Sequence, residues 1–480
     1  MTCMSCDATR AESTSRLPTL SSEIFTIPDE PGQFIVYAPL RRAAFAASAS
    51  VVNFLAGLQD GVYDHSLDPD GSLVAFLRRL EILDAGPEIL PITTFEGDPE
   101  PTSLTLFLTT ACNLRCTYCY ASAGDTPLTF MSLDTAKRGI DFVLGNAVRK
   151  GAPAIEIAYH GGGEPTLNWS VIKKSLVYAR EQAALAGVEV LAATATNGVL
   201  RDVQIDWILA NLDGLSLSFD GLPEVQDRHR PMVGGSGSSE RVIHTLTRLD
   251  AAGFNYGMRV TVTADQMAAL PDSIEFICSR FHPQRIQVEP AYQLGRWSTA
   301  PTAETDEFIV AFREAQARAR QHGHEIFYSA ARLGALTNHF CGVTQDSFCL
   351  SPDGNVSACY EVFSEENPLA NAFFYGQSAT SSRGYTFDLP VLNNLRRQAV
   401  QHRDFCQGCF AKWSCAGDCY HKALTVSETG EFEGSSRCHI TRELTKDQIL
   451  EQIAAAGGLF WHAPIDAGDE ARAVGKEQLW

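Results

Sequence analysis

From residue 104 to about residue 295 the chain alternates between two kinds of apolar pattern. Short runs rich in β-branched residues have the length of strands: LTLFLT (104–109), AIEIAYH (154–160), VEVLAATA (188–195), GLSLSFD (214–220), GMRVTVT (257–263) and RIQVEPA (285–291). Between them lie segments with helical apolar spacing, such as SLDTAKRGIDFVLGNAV, with Ser132 as its N-cap, and SVIKKSLVYAREQAAL. Six such β/α units predict an α/β fold with a parallel sheet, either open or curved into part of a barrel. In sheets of that kind the chemistry sits in the loops after the C-terminal strand ends.

The flanks read differently. Residues 1–20 are polar and rich in Ser and Thr, a disordered lead. Residues 21–95 form a small separate domain. There EIFTIP and QFIVYA flank the turn signal DEPG, predicting a hairpin, and AAFAASASVVNFLAGL and SLVAFLRRLEIL have helical spacing. Two strands followed by short helices suit a winged helix. EGDPEPTS (96–103) is a linker, so the β/α region is assigned to residues 100–325, with a further helix at about 303–322. Residues 335–445 are rich in cysteine and turns, and residues 446–480 hold one helix, TKDQILEQIAAA, and a Gly/Asp-rich tail.

A formal net charge of −19 argues against a general nucleic-acid or anionic-membrane binder. With no apolar run of membrane-spanning length and no apolar signal core at the start, a cytoplasmic protein is expected. Fourteen cysteines in a reducing compartment point to metal binding rather than disulfides. They are unevenly placed: Cys3 and Cys6, then Cys112, Cys116 and Cys119, then Cys278, then eight between 341 and 438.

The stretch TTACNLRCTYCYAS (109–122) supplies three thiols directly after the first strand, one fewer than a closed iron–sulfur or zinc site takes. Either a distant residue is the fourth ligand, as in a zinc knuckle, or one metal position is open. Each following strand also ends in a short motif. HGGGEPTL (160–167) follows the second, Thr196-Asn197-Gly198 the third, and LSLSFDG (215–221) the fourth, with DRHRP (227–231) beyond it. The set, in this order, resembles the radical S-adenosylmethionine (SAM) family. The resemblance implies a partial (β/α)6 barrel in which Cys112, Cys116 and Cys119 hold three irons of a [4Fe–4S] cluster, the fourth iron being left for SAM. It implies that Gly162 and Gly163 let the backbone approach the methionyl amine and that Glu164 accepts from that ammonium. Thr196, Asn197, Ser218 and Asp220 would contact SAM, and Tyr118 and Tyr120 would pack its adenine and shield the cluster. His160, beside the GGGEP loop, is read as structural.

Cys406, Cys409, Cys415 and Cys419 have the spacing C-x2-C-x5-C-x3-C, with Cys438 after a gap and with Cys341, Gly354 and Cys359 upstream. This resembles the SPASM extension of one radical SAM branch, and the likeness covers residues 104–440. It implies two auxiliary [4Fe–4S] clusters, one on Cys341, Cys359 and Cys419 and one on Cys406, Cys409, Cys415 and Cys438. With the first cluster that makes roughly twelve irons. Cys349, on the predicted hairpin FCLSPDGNVSAC, is the candidate fourth ligand of the first auxiliary site, its alternative being a buried apolar residue. Zinc is the rival for the whole region. Cys278 is read as core, and Cys3 and Cys6 as incidental.

SPASM-bearing enzymes act on peptides or proteins, which implies a precursor-peptide maturase working with an external electron donor such as flavodoxin or ferredoxin, and an oxidative crosslink as product. The alternatives are oxidation or epimerisation of a protein or small molecule, and a non-catalytic iron–sulfur or zinc scaffold. Where the sulfatase-activating branch has an Asp base after the cysteine matching Cys359, this chain has Tyr360 and then Glu361, either of which is a candidate proton acceptor. The N-terminal domain resembles a leader-peptide recognition domain, with a leader strand adding to an exposed edge of QFIVYA. GGLFWH (457–462) reads as a docking patch.

Overall fold

The computed structural model describes residues 17–125, 127–299, 304–379, 384–426 and 434–461. The readings placed on Cys3, Cys6, His462 and the tail beyond it lie outside the described residues. The chain forms two compact units, one of residues 1–90 with 448–465 and one built on residues 91–447. Among the described residues no helix is long and apolar enough to cross a membrane.

In the first unit β1 (Phe25–Pro28), β2 (Gln33–Ala38) and β3 (Ala43–Ser48) pair antiparallel, and the C-terminal strand Leu459–Trp461 pairs with β3, Leu459 opposite Phe45. Helices α1 (Ala49–Gln59) and α2 (Ser72–Arg79) bury Phe54, Leu55, Val74 and Leu77 with Val36 and Phe45 of the sheet. Two expectations are corrected here. Residues 43–48 were grouped with the following helix because alanine is the best helix former, but they are a third strand, paired along their length with β2. For that reason QFIVYA has no free edge; the edges of this sheet are β1 and the C-terminal strand.

The second unit holds one sheet of eleven strands. All six expected strands form, as β4 (Ser103–Phe107), β5 (Ala154–His160), β6 (Glu189–Thr196), β7 (Gly214–Ser218), β8 (Tyr256–Val262) and β9 (Arg285–Pro290). They are parallel neighbours in chain order, and a two-residue strand, β10 (Ile326–Phe327), continues the row. One face is sealed: Leu104, Ile157, Ala192, Leu217, Val260 and Val288 are at most 1% exposed, under helices that contribute Ile140, Leu176, Ile205, Leu246 and Ile274. The first of those helices, α3 (Leu133–Lys150), is capped as expected, the Ser132 hydroxyl accepting from Thr135 N at 3.0 Å. On the opposite face residues alternate with the buried set and are small or polar, and they meet the strand-end loops.

The cysteine-rich region does not begin a separate sheet. Strand β11 (Cys349–Leu350) pairs parallel with β4, Cys349 opposite Thr105. Strands β12 (Asn355–Ser357), β13 (Phe374–Ser378) and β14 (Tyr385–Phe387) extend it antiparallel. The expected boundary near residues 325–335 therefore falls inside one compact unit.

Candidate functional site

The loop leaving β4 carries Cys112, Cys116 and Cys119, all half-buried. The Cys112 thiol is pushed up to about 12 by burial and by the charges of Glu164, Cys116 and Cys119; Cys116 is also raised by burial, against the pull of Arg230 and Arg296. Thiols this desolvated keep their protons unless a cation replaces them. The loop is held from outside. Arg115 N donates to Pro231 O at 2.8 Å and Thr117 N to His229 O at 2.8 Å. Arg296 donates from its backbone to Cys119 O, and from its guanidinium to Cys116 O, Ala123 O and the Asp125 carboxylate. Gly295 (φ +52°) lies against the same loop; a Cβ there would stand 2.3 Å from Tyr120 O and 2.4 Å from Cys119 O. Sequence reasoning missed Gly295 and Arg296, because YQLGRW carries no spacing signal.

The GGGEP loop is stitched to this loop. Gly163 N donates to Thr109 O at 2.9 Å and Glu164 N to Ala111 O at 2.8 Å. A Cβ on Gly163 would lie 1.9 Å from Ala111 O, and one on Gly162 would lie 2.3 Å from the Phe363 ring. The protein's own packing thus requires both glycines, before any ligand does. Glu164, expected to accept from an ammonium, is engaged with its own chain. Its carboxylate, 2% exposed, accepts on Oε1 from Thr166 N (3.1 Å), Thr166 Oγ1 (2.7 Å) and Thr196 Oγ1 (2.8 Å) and on Oε2 from Asn197 N (2.8 Å). Burial pushes Glu164 above the ordinary carboxylate range, and those donors oppose the shift. Glu164 is a brace joining the ends of β5 and β6. Thr196 belongs to that brace, while Asn197 Nδ2 reaches Cys112 Sγ at 3.8 Å and Asn113 Oδ1 at 2.7 Å.

Tyr118, expected to pack an adenine with its ring, is anchored at its hydroxyl, which donates to Asp220 Oδ2 and accepts from Arg230 Nη1 at 2.8 Å and so closes an Asp–Tyr–Arg set. Asp220 Oδ1 accepts from Thr261 N at 3.1 Å, and burial raises its carboxyl above the ordinary range. Arg230 is 6% exposed, and among the described residues its buried Nε has no hydrogen-bond partner. That orphaned donor, whose charge reaches Cys116, fits an anionic group bound at the cysteine loop. Ser218 ends β7, opposite Arg259 of β8. Tyr120 packs in an apolar cluster with Phe107, Cys349, Phe363 and Cys119.

The other cysteines fall into two neighbourhoods. Cys359 feels the charges of Cys341 and Cys419, and Cys349 that of Cys341; burial raises all four thiols, Cys349 and Cys419 to about 12. Cys349 is fully buried, its Sγ 3.4 Å from Ser347 Oγ. In the second neighbourhood Cys406 feels Cys409 and Cys438, and Cys415 feels Cys438 and Cys406. Cys278 is core, 3% exposed. Among the described residues no three His, Cys, Asp or Glu groups stand close enough to surround a single metal ion.

Glu361 does not suit a proton acceptor. Burial would raise it, but Lys422 (2.9 Å) and His421 (2.8 Å) hold it well below the usual carboxylate range. It is a half-buried ion-pair partner whose charge reaches Cys359 and Tyr120. Tyr360 is 48% exposed and stacks on His160, centroids 5.4 Å apart at 17°. Burial, and then the charge of Arg259, lowers His160 to about 4, so its ring is neutral near pH 7.

Residues 106–277 match the model of the radical SAM superfamily. The mycofactocin maturase MftC of Mycobacterium tuberculosis is 28% identical over 68% of this chain and 81% of its own length. Two other curated relatives are matched over only part of their lengths, 57% and 38%. The structure of native anSMEcpe with bound AdoMet superposes with a TM-score of 0.60 over 74% of this chain and 99% of that one, at 16% identity. That of Streptococcus suis SuiB bound to precursor peptide SuiA does so with a TM-score of 0.50 over 87% and 99%, at 13% identity. At such identities the two structures speak for the fold. The matched segment, with its three loop cysteines and the GGGEP loop stitched to them, is a radical SAM domain.

Proposed function

We propose that the chain is a radical SAM maturase of a ribosomally made precursor peptide, installing an oxidative crosslink. The observation that carries this is the meeting of three loop thiols, Cys112 and Cys116 among them raised by burial, with the buried Nε of Arg230, unpartnered among the described residues, and the glycine loop braced by Glu164. Cys112, Cys116 and Cys119 would hold a [4Fe–4S] cluster, and Arg230 would face the carboxylate of SAM. When bound, cluster and SAM supply an electron and a 5′-deoxyadenosyl radical able to remove hydrogen from an unactivated carbon. The residues do the rest. Arg296 and Gly295 fix the thiols. The Asp220–Tyr118–Arg230 set orients the guanidinium. Asn197 donates toward Cys112, and Phe107, Phe363 and Tyr120 keep water from the thiol loop.

Cys341, Cys349, Cys359 and Cys419 would hold one auxiliary cluster and Cys406, Cys409, Cys415 and Cys438 the other, as acceptors for the electron released when a bond closes. Peptide as substrate is supported by MftC, a maturase by name, and by the precursor peptide bound to SuiB. A leader segment would add as a strand to the first unit, at β1, and an external one-electron donor would serve the first cluster.

The test is reconstitution without oxygen, followed by reduction with SAM present. Roughly twelve irons per chain and release of 5′-deoxyadenosine are expected. Co-expression with a candidate precursor should give a product lighter by about two mass units per event, the loss of two hydrogens that closing one bond requires. A fully loaded, reduced protein that makes no 5′-deoxyadenosine overturns the proposal. An unchanged mass with deuterium uptake replaces crosslinking by epimerisation.

A further inference from the structure

Across β4–β9 the exposed residues are Ser103 and Glu189, each the first of its strand, and Arg259, the fourth of seven in β8. A side chain in mid-strand, with β9 and β10 on one side and eight strands from β7 onward on the other, is exposed only if its face borders a cavity. The neighbours in register name that face: Ser218 of β7 on one side and Gln287 of β9 on the other. The charge of Arg259 also reaches His160 and Tyr120, which places the guanidinium in the space bordered by the cysteine loop.

Among the described residues Arg259 has no ion-pair partner, and its one hydrogen bond is donated to Gln287 Oε1 at 3.3 Å. The nearest acid in register, Glu289, is satisfied elsewhere. It accepts from Gln287 Nε2 (3.1 Å) and Ser329 N (2.9 Å) and pairs with Arg437 (3.3 Å). Gln287 thus turns its oxygen to Arg259 and its amide hydrogens to Glu289, aiming the guanidinium without neutralising it. His160, stacked on Tyr360 and edge-on to Phe107, adds no negative charge. The inner space therefore presents a preorganised fork of donors with an unbalanced positive charge, the arrangement that takes a carboxylate by two parallel bonds.

We propose that Arg259 is the substrate anchor of this site, binding an Asp or Glu side chain of the peptide next to the carbon that is attacked. This rests on the peptide-maturase reading for the nature of the ligand. SAM carries a carboxylate too. Ser218, expected to contact SAM, is the neighbour of Arg259 in register, so SAM is the rival occupant; the buried Nε of Arg230, unpartnered among the described residues, is the donor left for its carboxylate.

The test uses the full reconstituted chain, immobilised with SAM present, and two pools of synthetic dodecapeptides with randomised flanks. One pool has Asp or Glu at the centre and the other Asn or Gln. Retention of the acidic pool about tenfold above the amide pool is expected, a difference of about 1.4 kcal/mol. Arg259→Gln should abolish the preference, Arg259→Lys should keep part of it, and Arg259→Glu should turn it toward peptides with a central Lys. Equal retention of the pools by the unaltered chain, or a preference that survives Arg259→Gln, overturns the proposal. So does loss of labelled SAM from Arg259→Gln with the acidic preference intact, which would assign the guanidinium to SAM. A chain that prefers the acidic pool but makes no 5′-deoxyadenosine refutes the maturase reading and leaves Arg259 as the peptide anchor.

Discussion

Gly163 sits against Ala111 so closely that a Cβ at position 163 would lie 1.9 Å from the Ala111 carbonyl oxygen. Two loops from neighbouring strands meet there backbone to backbone, and neither can retreat without breaking the bonds from Gly163 N and Glu164 N. Gly163→Ala should therefore cost about 1–3 kcal/mol and strip iron from the first site. Gly145, in the middle of α3, is the control. A Cβ there would meet only Arg149 Nη1, at 3.5 Å, so Gly145→Ala should stabilise by about 0.5–1 kcal/mol. Urea midpoints and iron content of the two variants make the comparison.

Arg296 predicts a selective loss. It bonds to Cys116 O, Cys119 O and Ala123 O, and none of its described partners belongs to the C-terminal cysteine sets. Arg296→Met should drop iron from roughly twelve to roughly eight per chain, with the auxiliary signals retained in electron paramagnetic resonance. Uniform loss from all sites would contradict the assignment.

The strands were legible and one residue's role was not, for the same reason. Leu104, Ile157 and Val260 announce themselves because a sheet sealed on one face needs an apolar residue at every second position. Nothing in GGGEP tells whether the glutamate faces a ligand or its own chain; that depends on where Thr166, Thr196 and Asn197 come to lie. The cysteine spacings read out the sets that the fold draws near one another. Arg259 was passed over because one arginine in an alternating strand looks like any solvent-facing residue until register shows which way it faces. Strand β3 was missed because AAFAAS has little β-branching and owes its conformation to β2 and to the C-terminal strand.

His160 gives a pH dependence of definite sign. Its pKa falls from 6.5 to about 4 on folding, so between those values the unfolded chain binds the extra proton. The stability it supports is complete above about pH 6.5 and declines as pH falls toward 4. Between pH 7 and pH 5 the loss should be about 2 kcal/mol. His160→Gln should remove that part of the decline, as read from urea unfolding at the two pH values. An equal decline in both proteins would refute it.

Lys422 and Glu361 form a half-buried pair, with His421 on the second carboxylate oxygen. Lys422→Met leaves Glu361 under-partnered and should cost about 1–3 kcal/mol. Adding Glu361→Leu should recover a large part of that. A double variant as unstable as Lys422→Met alone would show that the lysine acts through something else.

The strand Leu459–Trp461, which closes the small sheet on Phe45, bears on how the protein is made. On the ribosome β1, β2 and β3 emerge together, yet the partner of β3 follows only after residues 49–458 have been translated. Until then the nascent chain carries an unsatisfied row of amide and carbonyl groups, the kind of surface that recruits chaperones or sticks to a neighbouring polysome product. The yield of native protein should thus depend on how quickly translation proceeds from Ser48 to Leu459.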